Sequence, residues 1–387
     1  MPDGGGPERV RVVEALAEVP AAGWDACAGP DNPFLSHAFL EAMEASGSAT
    51  DRTGWLPQHV LVEDASGRLL AAAPLYLKSH SQGEYVFDHG WAQAYERAGG
   101  NYYPKLLCAV PFTPVTGPRL LVHPEAPPDT VATLIAALIE IGRAHKVSSL
   151  HVTFPSQQDW QLLGAAGFLQ RAGQQYHWEN RGYASFDDFL EALNSRKRKQ
   201  IRRERRDALA TGIEIETLTG SALEPRHWDA FYRFYRNTVD HRWGGAYLTR
   251  GFFELLHQRL ADRVVLMMAR DGERYVAGAL NLLGNETLFG RNWGCIGDYP
   301  FLHFEVCYYR ALDFAIGRGL ARVEAGAQGT HKIQRGYLPT PTYSAHWVRD
   351  RGFARAVEDF LKRERAAVAA EMAELTEELS PFRCEEG

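Results

Sequence analysis

Residues Val60–Leu77 and Val265–Leu282 align without a gap at an offset of 205, and no other feature constrains the fold as much. The first segment reads VLVEDASGRLLAAAPLYL and the second VLMMARDGERYVAGALNL. Six positions are identical, among them Gly67/Gly272, Ala72/Ala277 and Leu75/Leu280. Each segment reads as strand, tight turn, strand, with a glycine where a hairpin needs positive φ. The order of later elements repeats as well. An apolar-striped helix over Asp129–His145 (Val131, Leu134, Ile135, Leu138, Ile139) leads into a strand at Ser149–Phe154. A helix over His303–Gly317 likewise leads into a strand at Leu320–Ala325. Finally, Gln175-Tyr-His-Trp178 matches Ser344-Ala-His-Trp347 in style.

Two copies of one hairpin–helix–strand unit are the economical explanation. A length of 387 residues also favours two domains, and we place them at 1–182 and 183–387. After the junction the pattern predicts a short helix at Phe186–Leu193 and a helix over Ser195–Thr211 stopped by Gly212. A strand at Ile213–Thr219 and helices at Glu224–His241, Thr249–Leu260 and Phe353–Leu379 complete the reading. Strands and helices mixed in this order predict an α+β fold with mixed, mostly antiparallel sheets flanked by helices.

No stretch approaches 18 consecutive apolar residues, so no membrane span is expected. The N-terminus MPDGGGPERVRVVEAL lacks a basic region followed by an apolar one, unlike a secretory signal. The five cysteines are scattered with no CxxC, which reads as reduced thiols. Together these predict a cytoplasmic protein. The net charge of −6 hides an asymmetry. Residues 196–206, RKRKQIRRERR, hold eight basic residues and one acidic, a local +7, so the other 376 residues carry −13. A solvated face, phosphate or RNA contact, and membrane attachment all compete for this helix. Membrane attachment is weakest, since Ile201 is its one bulky apolar residue.

The segment Leu288–Tyr337 has the apolar pattern of buried strand, helix and strand, yet carries Arg291, His303, Glu305, Glu324, Gln328, His331, Lys332 and Arg335. Ions are costly to desolvate, so this density of charge beside a core implies a lined cleft. Glu305 and His303 sit in the first turn of a helix. There a carboxylate either just complements the helix dipole or acts as a base, with the histidine relaying the proton. Glu324 ends a central strand and opens Glu324-Ala-Gly-Ala-Gln-Gly-Thr-His-Lys-Ile-Gln-Arg-Gly336. The glycines of this loop permit close backbone approach to a ligand, and Lys332 and Arg335 add positive charge. A polar surface loop is the plainer alternative. Arg291-Asn292-Trp293 ends a strand, where the arginine is either stacked or a carboxylate or phosphate clamp. In the first half, the loops Phe87-Asp-His-Gly90 and Asn101-Tyr-Tyr-Pro-Lys105 place Tyr103 and Lys105 as further binding residues. A metal site at His303, Glu305 and His331 is the weakest reading, because no HxxxH or HExxH spacing exists.

The run Ser195-Arg-Lys-Arg-Lys-Gln-Ile-Arg-Arg-Glu-Arg205 ahead of Gly212, within a duplicated unit, resembles the FemABX-like group of the GNAT acyltransferase superfamily. Tyr103-Pro-Lys, Val110-Pro-Phe-Thr-Pro-Val-Thr-Gly117, Leu302-His-Phe-Glu305, Cys307-Tyr-Tyr309 and Glu324-Ala-Gly-Ala-Gln-Gly-Thr-His-Lys332 look like the bacterial FemAB-like family of peptidoglycan biosynthesis and recognition. This resemblance spans nearly the whole chain. It implies two tandem GNAT-like domains and no tightly bound cofactor. It also implies aminoacyl-tRNA or acyl-CoA as donor, and an amine acceptor such as a peptidoglycan precursor. The [QR]xxGx[GA] pyrophosphate loop of acetyl-CoA enzymes is not found before a suitable helix.

The resulting expectation is an aminoacyl or acyl transferase. Glu305 or His303 would be the base, with Glu324 and His331 in reserve. Lys332, Arg335 or Arg291 would stabilise the oxyanion or anchor acceptor phosphates, with Asn292, Trp293, Gln328, Tyr103 and Lys105 contacting substrate. Tyr337 or Tyr103 would protonate the leaving group, and Arg196, Lys197, Arg198 and Arg202 would bind donor phosphates, with tRNA as a partner if the donor is aminoacyl-tRNA. The rival reading is a non-catalytic protein that binds a cell-wall precursor or RNA. The first-half counterpart of the Glu324 strand, Leu150-His-Val-Thr-Phe-Pro155, lacks an acid, so chemistry is expected in the second half.

Overall fold

The computed structural model describes residues 8–383 except 211, 243–244 and 327–328. In chain order its strands are β1 (Arg9–Val13), β2 (Trp55–Pro57), β3 (His59–Glu63), β4 (Leu69–Ala73), β5 (Leu75–Lys78), β6 (Lys105–Cys108), β7 (Leu121–Val122) and β8 (Ser149–Thr153). Then come β9 (Leu169–Glu179), β10 (Glu214–Leu218), β11 (Val264–Asp271), β12 (Arg274–Leu283), β13 (Thr287–Cys295), β14 (Arg322–Glu324) and β15 (Leu338–Val348). Helices lie between them much as the periodicity predicts. Examples are Thr130–Ala144, Ser195–Leu209, Pro225–Arg242, Arg250–Leu260 and Arg351–Leu379.

The chain forms two compact units, residues 1–173 with 341–369, and 174–340 with 370–387. These differ from a single cut at 182/183. Each long strand, β9 and β15, ends in the unit opposite to the one in which it begins, so the units exchange their last strands.

The second unit is a meander, β10–β11–β12–β13, all antiparallel. The crossover through residues 302–317 then returns β14 parallel to β13, and the end of β9 pairs antiparallel with β14. The first unit repeats this plan. There β1, β3 and β4 pair antiparallel, as do β5 and β6. The helix Thr130–Ala144 carries the chain to β8, parallel to β6, and the end of β15 closes the sheet on β8. The architecture is α+β with mostly antiparallel pairing, as the sequence predicts.

The one large departure between the copies has a local cause. β12 is continuous over Arg274–Leu283, but its counterpart at the offset of 205 is split into β4 and β5 by Pro74. Proline has no N–H for the ladder and interrupts the strand at that point. The apolar face of each sheet packs on its crossover helix. Leu134, Ile135 and Leu138 join Leu106, Leu150 and Val152 in the first unit, and Ala311, Leu312 and Ala315 join Val265, Leu288 and Val323 in the second. Among the described residues no helix is long and apolar enough to cross a membrane.

Candidate active site

β13 and β14 pair for only three residues, from Thr287↔Arg322 to Phe289↔Glu324. β14 then stops while β13 runs on to Cys295. Just past the fork β13 carries an extra residue, Arg291, between the partners Gly290↔Asn281 and Asn292↔Leu280. Such a bulge bends and re-aims a strand. The ladder between the two parallel strands therefore ends at Glu324, at the carboxyl ends where parallel crossovers usually bind ligands. Gly290 suits this place, because a Cβ would lie a tight 3.1 Å from the Glu324 carbonyl oxygen.

Glu324 is 5% exposed, and its Oε2 has no hydrogen-bond partner. Burial raises its pKa to about 7 against the pull of Arg322 and Arg291. Its cross-strand neighbour is His177 on β9. His177 Nε2 lies 3.9 Å from Glu324 Oε2, beyond hydrogen-bond range, and 3.4 Å from Gln175 Oε1, while its Nδ1 has no partner. Burial, with help from Arg322 and Lys332, lowers His177 to about 3, so the ring is neutral. Lys332 is buried, its pKa lowered to about 8 by desolvation, and it donates to the Gly326 carbonyl at 3.0 Å. Gly326 and Gly329 both have positive φ, as a tight loop at this point demands. A buried carboxylate with a free oxygen near neutral pKa, a neutral imidazole and an ammonium form the set expected of a proton-transfer site.

Aromatic rings cluster on β13, the crossover and the loop after β14. Trp293 and His303 have ring centroids 5.2 Å apart, and Phe304 and His331 5.7 Å. Tyr308 Oη and His331 Nε2 are 3.0 Å apart. His331 is exposed, and burial of part of its ring beside Arg335 and Lys332 lowers its pKa. Arg291 and Asn292 lie half-buried on the same strand as Trp293.

Other residues of the predicted set have different surroundings. Glu305 lies in a π-helical turn, Glu305–Tyr309, that interrupts the crossover helix. It is fully buried, and both its oxygens are held: by Arg205 at 3.1 Å on each oxygen and by Arg310 at 2.8 Å. Arg335 spans Glu204 with two 2.9 Å bonds, reaches Tyr309 at 3.0 Å and stacks 3.6 Å over Phe304. These two clusters fasten the basic helix to the unit. Tyr337 is fully buried, donates to the Tyr308 carbonyl at 3.3 Å, and burial keeps its pKa well above the ordinary value. On the basic helix Arg198 pairs with Glu191, Arg202 with Asp187, and Lys197 donates to Gln334 at 2.8 Å. Arg196 and Lys199 are exposed. Gln328 lies outside the described residues. Tyr103 and Lys105 belong to the first unit. Among the described residues no group of three or more His, Cys, Asp or Glu side chains is arranged to hold a metal.

His177 and Gln175 belong to no catalytic motif of the sequence. Their signal was the match between Gln175-Tyr-His-Trp178 and Ser344-Ala-His-Trp347, which marks the same strand in both units. In the first unit His346 pairs across the ladder with His151, as His177 does with Glu324. There the imidazoles bond directly, Nδ1 to Nδ1 at 2.7 Å. Ser149 and Tyr102 serve His151 at 2.7 and 3.3 Å, Ser344 serves His346 at 2.9 Å, and Trp91 stacks over His151.

The sequence matches the model of the FemAB-like family, described as peptidoglycan biosynthesis/recognition, over residues 15–384. Solved structures with a similar fold include FemX, with 13% identity, TM-score 0.53, and 90% of this chain and 100% of that one covered. The C-terminal DUF2156 domain of a candidate lysylphosphatidylglycerol synthetase from Agrobacterium fabrum has 11% identity, TM-score 0.55, and coverage of 90% and 97%. L-PGS from Bacillus licheniformis has 8% identity, TM-score 0.50, and coverage of 92% and 99%. No curated protein sequence gives a significant match.

Proposed function

The chain belongs to the FemAB-like peptidoglycan biosynthesis and recognition family, and on that premise we propose an N-acyltransferase whose second unit moves an aminoacyl or acyl group onto an amine acceptor. The acceptor class that family membership favours is a peptidoglycan precursor, and the donor is an ester or thioester, aminoacyl-tRNA or acyl-CoA.

The observation that carries this reading is the free oxygen of Glu324 at the fork of β13 and β14, facing His177 across 3.9 Å. On this reading the acceptor nitrogen binds within hydrogen-bond reach of both. An acceptor amine attacks only when neutral, and a carboxylate poised near pH 7 is matched to removing its proton. The C–N bond forms, the donor C–O or C–S bond breaks, and the proton passes through Glu324 to the leaving oxygen or sulfur. Lys332 is the cation we assign to stabilising the transient oxyanion. The aromatic cluster of Trp293, His303, Phe304 and His331 packs against the substrate. Glu305 becomes a positioning residue that holds the basic helix through Arg205. Tyr337, with its proton locked to a backbone carbonyl, is set aside as the leaving-group acid.

The test is covalent product. The protein is incubated with aminoacyl-tRNA and acyl-CoA panels and amine acceptors, and the acceptor is weighed by mass spectrometry. A mass shift present with the wild type and absent with Glu324→Gln supports the reading. Saturable binding of the same compounds without product overturns it in favour of a recognition protein.

A further inference from the structure

The first unit holds a second cluster of buried charge that the proposed transfer does not use. β5 and β6 place Lys78 directly opposite Lys105 on one face of the sheet. Like charges opposed across a ladder destabilise it, and neither side chain reaches solvent. Trp55 lies opposite Lys78 on β2, and its ring sits 3.7 Å from the Lys78 Nζ. The Trp55 Nε1–H is buried with no acceptor, and Lys78 makes one long bond, 3.4 Å to the Gln82 carbonyl.

The counter-ions come from elsewhere. Glu84 and Asp88 both lie on the segment between β5 and the helix His89–Arg97, not on the sheet. Lys105 donates to Glu84 at 2.7 Å and to Asp88. Each carboxylate keeps an unpartnered buried oxygen, Glu84 Oε1 and Asp88 Oδ1. The same segment turns apolar side chains outward: Phe87 is 60% exposed, and Tyr85 is exposed at φ 58°. A loop that existed only to cover a core would bury its rings and leave its carboxylates in water. This one does the reverse.

We propose that Lys78 and Lys105 form an anion-binding site of the first unit, for a phosphate or carboxylate group of a ligand, and that Glu84 and Asp88 are internal stand-ins for that anion. Cations fixed on strands are paired with anions on a connecting segment, so an external anion takes the place of the loop carboxylates without disturbing the sheet. The unpaired Trp55 N–H, beside the cations, is available to the same ligand. Burial pushes Lys78 down and Glu84 up to about 7 each, so the occupied state is held less firmly than a fully ionised cluster would be. The proposal stands apart from acyl transfer, because its test reads binding and not turnover.

The test titrates the full chain with inorganic phosphate, pyrophosphate and malonate at constant ionic strength, reading calorimetric heat and tryptophan fluorescence. Saturable binding is expected from the wild type. Removing the internal competitor with Glu84→Gln should tighten it by about tenfold, since apparent affinity scales with the fraction of open site. Lys78→Met should abolish it. Preference for phosphates over malonate assigns a phosphorylated ligand, and the converse a carboxylate. Absence of saturable binding in both wild type and Glu84→Gln overturns the proposal, as does binding that neither substitution alters. A merely structural Glu84 would make the variant bind no more tightly than the wild type.

Discussion

Glu324 in the second unit and His151 in the first occupy the same place in two copies of one sheet. Each sits on the parallel strand after the crossover helix, and each faces a histidine from the exchanged strand, His177 or His346. Their surroundings differ. His151 and His346 bond to each other and to Ser149, Tyr102 and Ser344, under the ring of Trp91. Glu324 and His177 stop short of a bond, and each keeps an unpartnered atom. Buried polar atoms left unpaired cost free energy, so their presence where the twin position is satisfied is the ground for our proposal that a ligand binds at Glu324. One scaffold thus holds a satisfied polar pair in one copy and an unsatisfied pair in the other.

The comparison breaks most sharply under paired substitution. Glu324→Gln should lower transfer by about 10² to 10⁴ while leaving the fold intact. His151→Gln should leave the rate within about threefold, because that residue touches no reacting group. Equal losses from both, measured as product per unit time, would erase the distinction drawn between the units.

Next in size is Glu305. Removing one partner of a buried ion pair typically costs about 3–5 kcal/mol, so Glu305→Gln should unfold at markedly lower denaturant. Unchanged stability with lost activity would return Glu305 to the role of base.

The two units should also answer acid differently. His151 and His177 are lowered to about 3, and His346 is held well below its usual value. As pH falls below 6.5 the unfolded chain binds protons that these buried rings cannot, so each costs about 1.4 kcal/mol per pH unit. Glu84 and Glu324, raised to about 7, act oppositely: protonated in the fold while still charged in the unfolded chain, each returns a similar amount between pH 7 and 4.5. The first unit has two histidines shifted this far against one glutamate and the second has one against one, while His80 in the first and His227 and His331 in the second are lowered by less. Hydrogen exchange between pH 7 and 5 should therefore show the first unit losing more protection than the second.

The smallest effect concerns the basic helix. Arg202 pairs with Asp187 on the surface, and Arg202→Ala should change stability by about 1 kcal/mol or less, seen in chemical denaturation. A larger loss would mean that this pair, like Arg205–Glu305, anchors the helix.

Much of this was legible in the sequence, because the repeat at an offset of 205 specified the hairpins, and the helices that periodicity predicted lie within about two residues of their places, although the helices Ala21–Ala28, His37–Ala45, His89–Arg97 and Gln157–Ala165 were not predicted. The strand exchange was not, since nothing local in Leu169–Glu179 or Leu338–Val348 says which sheet each will join. Glu324 and Lys332 stood out as charges beside a buried strand. Glu305 stood out for the same reason, and sequence alone could not separate a carboxylate clamped by Arg205 and Arg310 from one left open. That distinction depends on Arg205, a partner a hundred residues away. His177 hid because a lone histidine in an eleven-residue strand carries no motif, and Lys78 because it follows the last residue of the repeat.

The most direct test of the central claim is the pH dependence of single-turnover acyl transfer by wild type and Glu324→Gln. The account predicts an ascending limb with a midpoint of about 7 in the wild type, as Glu324 loses its proton, and its disappearance in the variant. An identical limb in both proteins, or near-normal turnover by the variant, would show that Glu324 is not the base and that the open end of β14 is not where the chemistry occurs.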